Sequence, residues 1–484
     1  MEYRWRVLAA VAFGTYMATM DFSIVNVALP TLAREFDRSP DTVVWAALVS
    51  SLVVTGLTLT AGRAGDLYGR KRVYIVGWAI FTIGMALASI AQTFEQLVAM
   101  RFIQSVGVAL AIANGNAIVS EAFPPEQRGQ ALGTTGAVVG AGLMSGPILG
   151  GLILEAFSWH AIFALRVPIG IVALLLAWLV IRSSAPAAAA SGRRMDVPGA
   201  LALFITLSAF LVAVNRGQAW GWTSAPILGL GAAGVVAFVA FLRVEARTPS
   251  PVVALSLFRI RAYSVGVSSL ALNFAGQSAV TFLLPFYLQE VKGYSTGRVG
   301  LIVATVPLMM LLLSPLSGRI SDRHRVTHQA TLGIALVSLG LLSLATITAE
   351  TSALGIVARL AIVGIGTSIF MSPNSATIMN SVPPDRLGTA SASVATARNI
   401  GNAVGLALAS AVLVAVATAS AGYRPERLAD LPEAAIVAGV RAAFLVAGFA
   451  AAAAIVASLF RGERRAPLAS SPVALRDPLE KSAP

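Results

Sequence analysis

Cysteine is absent from the 484 residues of the chain, which excludes disulfide bonds, thiolate metal sites and cysteine-based catalysis. Histidine is scarce, because only His160, His324 and His328 occur and all three fall in or near predicted loops. Charged residues make up only 12% of the chain, about half of the ~25% that is usual in soluble domains. No catalytic triad and no phosphate-binding loop is recognisable. The sequence therefore predicts neither an enzyme, nor a metal site, nor a bound cofactor.

Long apolar runs stand where charge is missing. Apolar residues make up 57% of the chain, and fourteen runs of roughly 18–25 residues are each long enough to cross a bilayer as a helix. No small-residue cleavage site follows the first run, so we expect a retained helix rather than a signal peptide. The sequence predicts an all-α integral membrane protein with spans near residues 7–29, 44–61, 73–91, 97–119, 130–154, 160–181, 197–214, 225–242, 263–289, 299–317, 329–348, 353–379, 387–417 and 437–460.

The net charge of +13 is distributed as in a membrane protein rather than a nucleic-acid-binding protein. With fourteen spans, 21 lysines and arginines flank the side that carries both termini, and 7 lie on the opposite side. The positive-inside rule places the richer side in the cytoplasm. We therefore expect a multi-pass protein of the cell inner (plasma) membrane with both termini cytoplasmic and with no nucleic-acid partner.

The chain also repeats itself weakly. The segment 123–131 resembles the segment 382–390 at an offset of 259, and Gly62–Asp66 resembles Gly318–Asp322 at an offset of 256. Because the paired helices have the same orientation, the halves are predicted to be parallel repeats of six helices, with two further helices between them. The predicted organisation is an N-terminal bundle at 1–182, a linker with two additional spans at 183–261, a C-terminal bundle at 262–460 and a disordered cytoplasmic tail at 461–484.

The second and third spans are joined by a segment that is rich in glycine and charge, residues 62–72. Its glycines allow a tight turn, and Asp66 is able to cap a neighbouring helix or to pair with an arginine across the interface between the halves. The alternative is a plain basic anchor at the membrane surface. We interpret the segment as part of a cytoplasmic gate formed by Gly62, Asp66, Gly69, Arg70, Lys71 and Arg128.

Asp21 lies in the first span, roughly 22 Å along the helix from Arg6 and therefore inside the hydrocarbon layer. It is the only acid that clearly falls inside a predicted span. A carboxylate at that depth needs a cavity and a partner. Arg101 of the fourth span is the expected partner, with Gln104 one turn later on the same face. We predict that Asp21 and Arg101 couple transport to protons; a purely structural ion pair is the alternative.

The fifth span contains four glycines and a proline within ten residues, at Gly142, Gly146, Pro147, Gly150 and Gly151. Small residues allow two helices to approach closely in lipid, and Pro147 removes a backbone donor and favours a bend. The spacing G-x-x-x-G-P-x-x-G-G resembles the antiporter motif of exporters of the major facilitator superfamily. We therefore call these five residues the antiporter motif.

Two further segments carry the same resemblance. Residues 21–30 resemble the D-x-T-I-V-N-V-A-L-P signature of the fourteen-helix drug/proton antiporter branch, with Ser23 in place of threonine. Arg101 and Gln104 match the R-x-x-Q-G motif, with Ser105 in place of glycine. The segment 62–72 is similar to the gating motif of the family.

This resemblance implies the major facilitator fold, with two six-helix bundles plus two extra transmembrane helices. It implies a proton-coupled antiporter that exports small amphipathic compounds, such as drugs, dyes and antibiotics, by alternating access. The expected partners are the small-molecule substrate, protons and the lipid bilayer, and the protein is expected to be a monomer. A proton-coupled symporter or a dedicated metabolite exporter on the same fold is the alternative.

Several other polar residues fall inside predicted spans and are candidates for the substrate cavity. Each could instead only bond a neighbouring helix. Gln277 stands opposite Asp21 in the repeat, and Arg166 either favours anionic or zwitterionic substrates or caps the outer gate. Arg359 and Arg398 are interpreted as packing arginines of the repeat. The cavity candidates are Asn26, Gln104, Asn114, Arg166, Asn273, Gln277 and Asn374.

Overall fold

The computed structural model describes residues 2–38, 40–183, 195–248, 251–253, 255–324, 328–423 and 431–459, and these contain helices and no strand. Thirteen of the described helices are long and apolar enough to cross a membrane. A shorter apolar helix, Gln329–Leu344, lies where the eleventh span is predicted. The fold is thus the predicted all-α membrane fold. The predicted tail at 461–484 and most of the predicted linker after residue 183 lie outside the described residues.

We number the spanning helices α1 to α14, and short helices at Pro40–Val43, Ala161–Ala164 and Thr296–Val303 precede α2, α6 and α10. The bounds are α1 Tyr3–Glu35, α2 Trp45–Tyr68, α3 Arg70–Ala88, α4 Phe94–Ala122, α5 Arg128–Ala156, α6 Val167–Val180, α7 Val197–Trp220, α8 Ala225–Glu245, α9 Arg261–Glu290, α10 Thr305–His324, α11 Gln329–Leu344, α12 Ala353–Asn380, α13 Leu387–Ala421 and α14 Glu433–Leu459.

The turn between α2 and α3 is shorter than the sequence predicts. Helix α2 continues to Tyr68, well past the predicted end of the second span, and α3 begins at Arg70. Only Gly69 separates them. Its backbone φ is +96°, a conformation that residues with a Cβ rarely adopt. The charged residues of this segment extend the helix because Arg63 and Asp66 are buried against other helices.

Glycine contacts pack the helices closely, and they repeat between the halves. A Cβ on Gly77 of α3 would lie 2.8 Å from the carbonyl oxygen of Gly107 on α4. In the second half, a Cβ on Gly333 of α11 would lie 2.8 Å from the carbonyl oxygen of Gly366 on α12. In both pairs two backbones touch where a larger side chain would separate them, as is common in membrane helices. The two contacts agree with the offsets of the predicted repeat.

The two additional helices pack against each other and beside the first bundle. Phe204 of α7 fills the space next to Gly56 of α2, where a Cβ would lie 2.6 Å from its ring. At the end of α8, the Glu245 carboxylate accepts backbone N–H bonds from Val252 and Val253. These bonds fix the chain as it leaves α8. The predicted boundaries of the linker and the two bundles stay predictions.

The start of α1 identifies one side of the bundle. Arg4 donates to the Gln127 side chain at 2.7 Å, and the backbone N–H of Arg182 donates to the Tyr3 hydroxyl at 3.0 Å. The first turn of α1 therefore lies beside the α4–α5 connection and the end of α6. We call this side the gate side and the opposite side the far side.

Candidate functional site

Asp21 lies near the middle of α1, 4% exposed, and its carboxylate is the centre of a buried polar cluster. Its Oδ2 accepts from Arg101 Nη1 at 2.8 Å. Its Oδ1 accepts from Arg166 Nη1 at 2.7 Å and from Gln104 Nε2 at 2.9 Å. The amide oxygen of Gln104 in turn accepts from Arg101 Nη1 at 2.7 Å. Three helices of the first bundle thus meet at one carboxylate; we call these four residues the Asp21 cluster.

The Asp21 cluster holds two guanidinium cations and one carboxylate. Arg101 is 1% exposed and Arg166 is 2% exposed. The Phe163 ring lies 6.0 Å and 5.6 Å from their central carbons, within the range of cation–π attraction. Protonation of Asp21 in this conformation would leave two buried cations without an anion, which is strongly unfavourable. All three charged groups of the cluster, Asp21 included, are therefore ionised in this conformation.

The predicted contact between Asp21 and Arg101 is present, while its role in proton coupling stays a prediction. Arg166 binds Asp21 directly, which the sequence did not predict, while its predicted roles toward the substrate or at the outer gate stay predictions. It is the N-cap residue of α6, and its Nε donates to the Ile162 carbonyl at 2.6 Å. The contact between Asp21 and Arg166 was not predicted, because the two residues are 145 positions apart and no local pattern links them.

Acids other than Asp21 are also buried, at the helix ends near which the sequence places them. These acids are Asp66, Asp196 and Glu245. Each lies at or near a helix end and accepts hydrogen bonds from backbone N–H groups. Dipolar peptide groups thereby replace water around these carboxylates. Asp21 differs because its partners in the described part of the chain are side chains only, namely two arginines and Gln104, near the middle of α1.

The antiporter motif packs α5 onto α1 beside the Asp21 cluster. A Cβ on Gly142 would overlap with Thr19, and a Cβ on Gly146 would overlap with the Ser23 hydroxyl. A Cβ on Gly150 would lie 2.8 Å from the Ile24 side chain, whereas one on Gly151 would meet nothing within 4 Å. Ser23 Oγ also donates to the Gly142 carbonyl at 3.2 Å. Three of the four glycines therefore hold α5 against the stretch of α1 that carries Asp21. Pro147, the fifth motif residue, lies inside α5, which continues through it as one helix.

A gate on the gate side joins the two halves. Asp66 at the end of α2 accepts from the backbone N–H groups of Gly388 at 2.8 Å and Thr389 at 2.9 Å. These residues form the first turn of α13, so Asp66 caps that helix from the other half. Gly62, one turn earlier, touches the Gly388 carbonyl through its backbone. Of the two roles predicted for Asp66, capping a neighbouring helix and pairing with an arginine across the interface, the structure shows the first.

The repeat produces a second cap of the same kind. Asp322 near the end of α10 accepts from the backbone N–H groups of Gly129 at 3.0 Å and Gln130 at 2.7 Å. These two residues begin α5 in the first half. Each half therefore holds the other through one carboxylate on one helix start. Between described residues of the two halves, the hydrogen bonds lie on the gate side, so the gate is closed in this structure.

The basic residues of the predicted gate have different positions. Arg70 bonds Asp66 at 2.9 Å and Glu121 at 3.0 Å within its own half, and it reaches the Pro384 carbonyl across the interface. Arg128 donates to the Asn380 side chain across the interface at 2.7 Å. Lys71 instead donates to the Trp178 carbonyl at the end of α6, within its own half. Its contact is an anchor rather than a bridge between the halves.

Two adjoining cavities lie between the halves, with volumes of about 60 Å³ and 50 Å³. Drug-sized ligands occupy pockets of about 300–1,000 Å³, so helices must move before such a molecule fits. The shared walls come from α4, α5 and α13, and they place Arg398 at both cavities. The residues common to both are Asn116, Thr135, Val139, Val394 and Arg398.

The seven predicted cavity candidates lie elsewhere in this conformation. Gln104 and Arg166 belong to the Asp21 cluster. Asn114 donates to carbonyls of α2 and α4, and Asn374 donates to the Gly266 carbonyl of α9, so both join helices within a half. Gln277 donates to Thr367, and the exposed Asn26 bonds its own helix. Asn273 is fully buried, and neither polar atom of its side chain has a partner in the described part of the chain.

Comparison with known proteins agrees with this architecture. The family model described as "Major Facilitator Superfamily" matches residues 11–406. A riboflavin transporter, RibZ, from Clostridioides difficile (strain 630) is 36% identical over 84% of this chain and 88% of its own. A multidrug resistance protein, Stp, from Mycobacterium tuberculosis (strain CDC 1551 / Oshkosh) is 31% identical over 88% of this chain and 79% of its own.

A solved structure matches the fold over nearly the whole chain. The human organic anion transporter MFSD10 superposes with a TM-score of 0.67 over 95% of this chain and 100% of that one, at 14% identity. The family match, the relatives and this shared fold agree with the all-helical membrane architecture described above. The chain belongs to the major facilitator superfamily and is a multi-pass membrane transporter rather than an enzyme.

Proposed function

We propose that this transporter is a proton-coupled antiporter that exports small amphipathic compounds by alternating access. The observation that carries the proposal is the Asp21 cluster, a titratable group in the interior of the bundle whose own helix is held by the antiporter motif. Burial of three charged groups inside a membrane bundle costs free energy, and charged residues at such positions usually mark a functional site. Relatives named for multidrug resistance support the substrate class.

Opening of the gate is the conformational half of the proposed cycle. In the closed state two carboxylates cap helices of the opposite half, and the central cavities hold no drug-sized space. Separation of the halves on the gate side would break both caps and widen the cavities toward that side. We propose that the gate side faces the cytoplasm at the inner membrane, because most of the lysines and arginines flank it.

Proton uptake at Asp21 is the chemical half. Asp21 accepts a proton only when Arg101 or Arg166 gains another partner, such as water from an opening on the far side. The proton then sits on a carboxylate oxygen, and the neutral acid loses its hold on the two guanidinium groups. Release toward the cytoplasm restores the ion pairs. One carboxylate exchanges one proton in each cycle.

Transport in proteoliposomes tests the proposal. Purified protein is reconstituted, a pH gradient is imposed, and the movement of a fluorescent dye and of protons is followed in the same vesicles. We expect dye to move against its gradient while protons move the opposite way. Dye movement in the same direction as protons would indicate a symporter, and dye equilibration that ignores the pH gradient would contradict proton coupling.

A dedicated metabolite exporter is the second candidate, favoured by the similarity to a protein named as a riboflavin transporter. The same vesicles decide between the two, because riboflavin is itself fluorescent. Transport of riboflavin at a far higher rate than structurally unrelated dyes would favour the metabolite exporter. Comparable rates for several unrelated amphipathic dyes would favour the broad exporter.

A further inference from the structure

We propose that Arg398 is the recognition residue for a carboxylate group on the transported compound. The proposal deepens the proposed function, because it names the chemical class that the central cavities accept. It also corrects the interpretation of Arg398 as a packing arginine. The class is an amphipathic aromatic compound that bears a carboxylate.

The position of Arg398 carries the first step. It lies on α13 about 16 Å along the helix from Leu387, close to the middle of a ~30 Å hydrocarbon layer. Val394 and Ala395 precede it by one helical turn and line the same cavity, so this face of α13 points between the halves. At the matching position of the repeat, α5 presents the apolar Val139 to both cavities. The charge is therefore specific to the second half.

The second step of the argument is that the Arg398 guanidinium has no counter-ion among the described residues. Among the described residues, no hydrogen-bond acceptor and no carboxylate is paired with the Arg398 guanidinium. Asp21 is already bound to two arginines in the first bundle. No acidic residue lines either cavity. A guanidinium at this depth without an anion is unfavourable, and a substrate carboxylate in the cavity would relieve that cost.

The remaining walls indicate what accompanies the carboxylate. Arginine binds carboxylates through two parallel N–H donors, which fixes the orientation of the ligand. Tyr74 and Trp78 line the cavity from α3, and Thr15 and Thr19 line it from α1. Once the halves separate and the cavity widens, an aromatic ring system would lie beside these aromatic side chains, with the acid directed at α13. Compounds whose only charge is positive meet a like charge there.

Two matched dyes test the proposal. Rhodamine 110 bears a free carboxylate, and rhodamine 123 is its methyl ester on the same ring system. We measure the equilibrium binding of each dye to the purified wild-type protein, without a proton gradient. We expect tighter binding of rhodamine 110. In Arg398→Gln its affinity should fall by about tenfold to a hundredfold, the range for loss of a charged hydrogen bond, while rhodamine 123 binds equally or better.

Two further variants separate recognition from folding. Arg398→Lys keeps the charge and should retain part of the preference for the acid. Arg359→Gln is the matched control, because Arg359 lies in the same half and bonds the carbonyls of Ser343 and Gly355. It should bind both dyes as the wild type does. The wild-type comparison needs no variant, so it decides even if Arg398→Gln does not fold.

The outcomes separate this proposal from the proposed function. Equal wild-type affinity for the two dyes, or an unchanged affinity for rhodamine 110 in Arg398→Gln, would overturn the role of Arg398 and leave antiport intact. Binding that depends on Arg398 without any pH-driven transport would support carboxylate recognition and contradict proton-coupled antiport.

Discussion

Substitution of Gly146 should uncouple transport by disturbing α1, and the structure gives the size of the disturbance. A Cβ at this position would overlap with Ser23 Oγ, would lie 2.8 Å from Ser23 Cβ and would lie 3.0 Å from the backbone nitrogen of Ile24. The hydroxyl is able to rotate, but Cβ and the backbone are not. Ordinary contact begins at 3.4 Å, so α1 must move by about 0.6 Å for alanine and further for valine.

That shift reaches Asp21, which lies two residues before Ser23 on the same helix. Its ion pairs of 2.7 Å and 2.8 Å have no room for displacement without weakening. Overpacking of a close-packed interface costs about 1–3 kcal/mol, which corresponds to about a fivefold to 150-fold shift between conformations. We expect Gly146→Val to retain less than about a tenth of pH-driven dye transport, and Gly146→Ala to be intermediate.

The chain offers a control and a suppressor for this prediction. Gly151 belongs to the same motif, yet a Cβ there meets nothing within 4 Å, so Gly151→Val should transport normally. Ser23→Gly removes two of the three atoms that meet the new Cβ, so the double variant Gly146→Ala with Ser23→Gly should recover activity. The assay is dye and proton flux in proteoliposomes at matched expression. Equal transport by the two valine variants, or no recovery in the double variant, would refute the packing argument.

Three other predictions follow from the ion pairs, the gate and the charge of the cycle. Asp21→Asn should abolish pH-driven transport and should lower the free energy of unfolding by about 3–5 kcal/mol, because it leaves two buried arginines without an anion; wild-type transport by this variant would exclude Asp21 as the coupling group. Asp66→Asn, alone or with Asp322→Asn, should open the gate. Because the chain has no cysteine, Ser372→Cys introduces a single reporter on α12, where the buried Ser372 hydroxyl donates to the Gly129 carbonyl across the gate. Its labelling by an impermeant maleimide from the gate side should rise above that of Ser372→Cys alone, whereas Glu350→Gln in a far-side loop should leave it unchanged. Dications should be poor substrates, because exchange for one proton moves one net charge outward against about 2.3 kcal/mol per 100 mV; efficient export of a dication in vesicles clamped with potassium and valinomycin would require a second titrating acid.

The helices could be predicted from sequence because lipid demands long apolar segments with satisfied backbones. Fourteen runs of the right length correspond to the thirteen long described helices and the shorter α11. The end of the second span was missed for a related reason. Arg63 and Asp66 resemble loop residues by charge, yet they continue α2, because the opposite half and the additional helices replace water around them.

The site was only partly predictable. Depth along a helix and the cost of a buried carboxylate were enough to predict that Asp21 contacts Arg101. The contact of the second arginine, Arg166, depends on where the start of α6 packs against α1, which no local pattern encodes. The position of Arg398 at the central cavities was not predicted, because helix periodicity does not tell whether a side chain faces lipid, a neighbouring helix or a cavity. That question is settled only by the structure, in which α13 and α5 both line the central cavities.

Two helices connect the gate to the proposed sites, and this explains how coupling could work without contact between proton and substrate. Helix α5 begins at the Asp322 cap and continues to the glycines that hold α1 beside Asp21. Helix α13 begins at the Asp66 cap and continues to Arg398. Because a helix is stiff over these lengths, opening of the gate must displace the far end of each connection. Protonation of Asp21 on α1 acts on α5, and an anion at Arg398 acts on α13. Both ligands therefore shift the same equilibrium between the closed and the open gate.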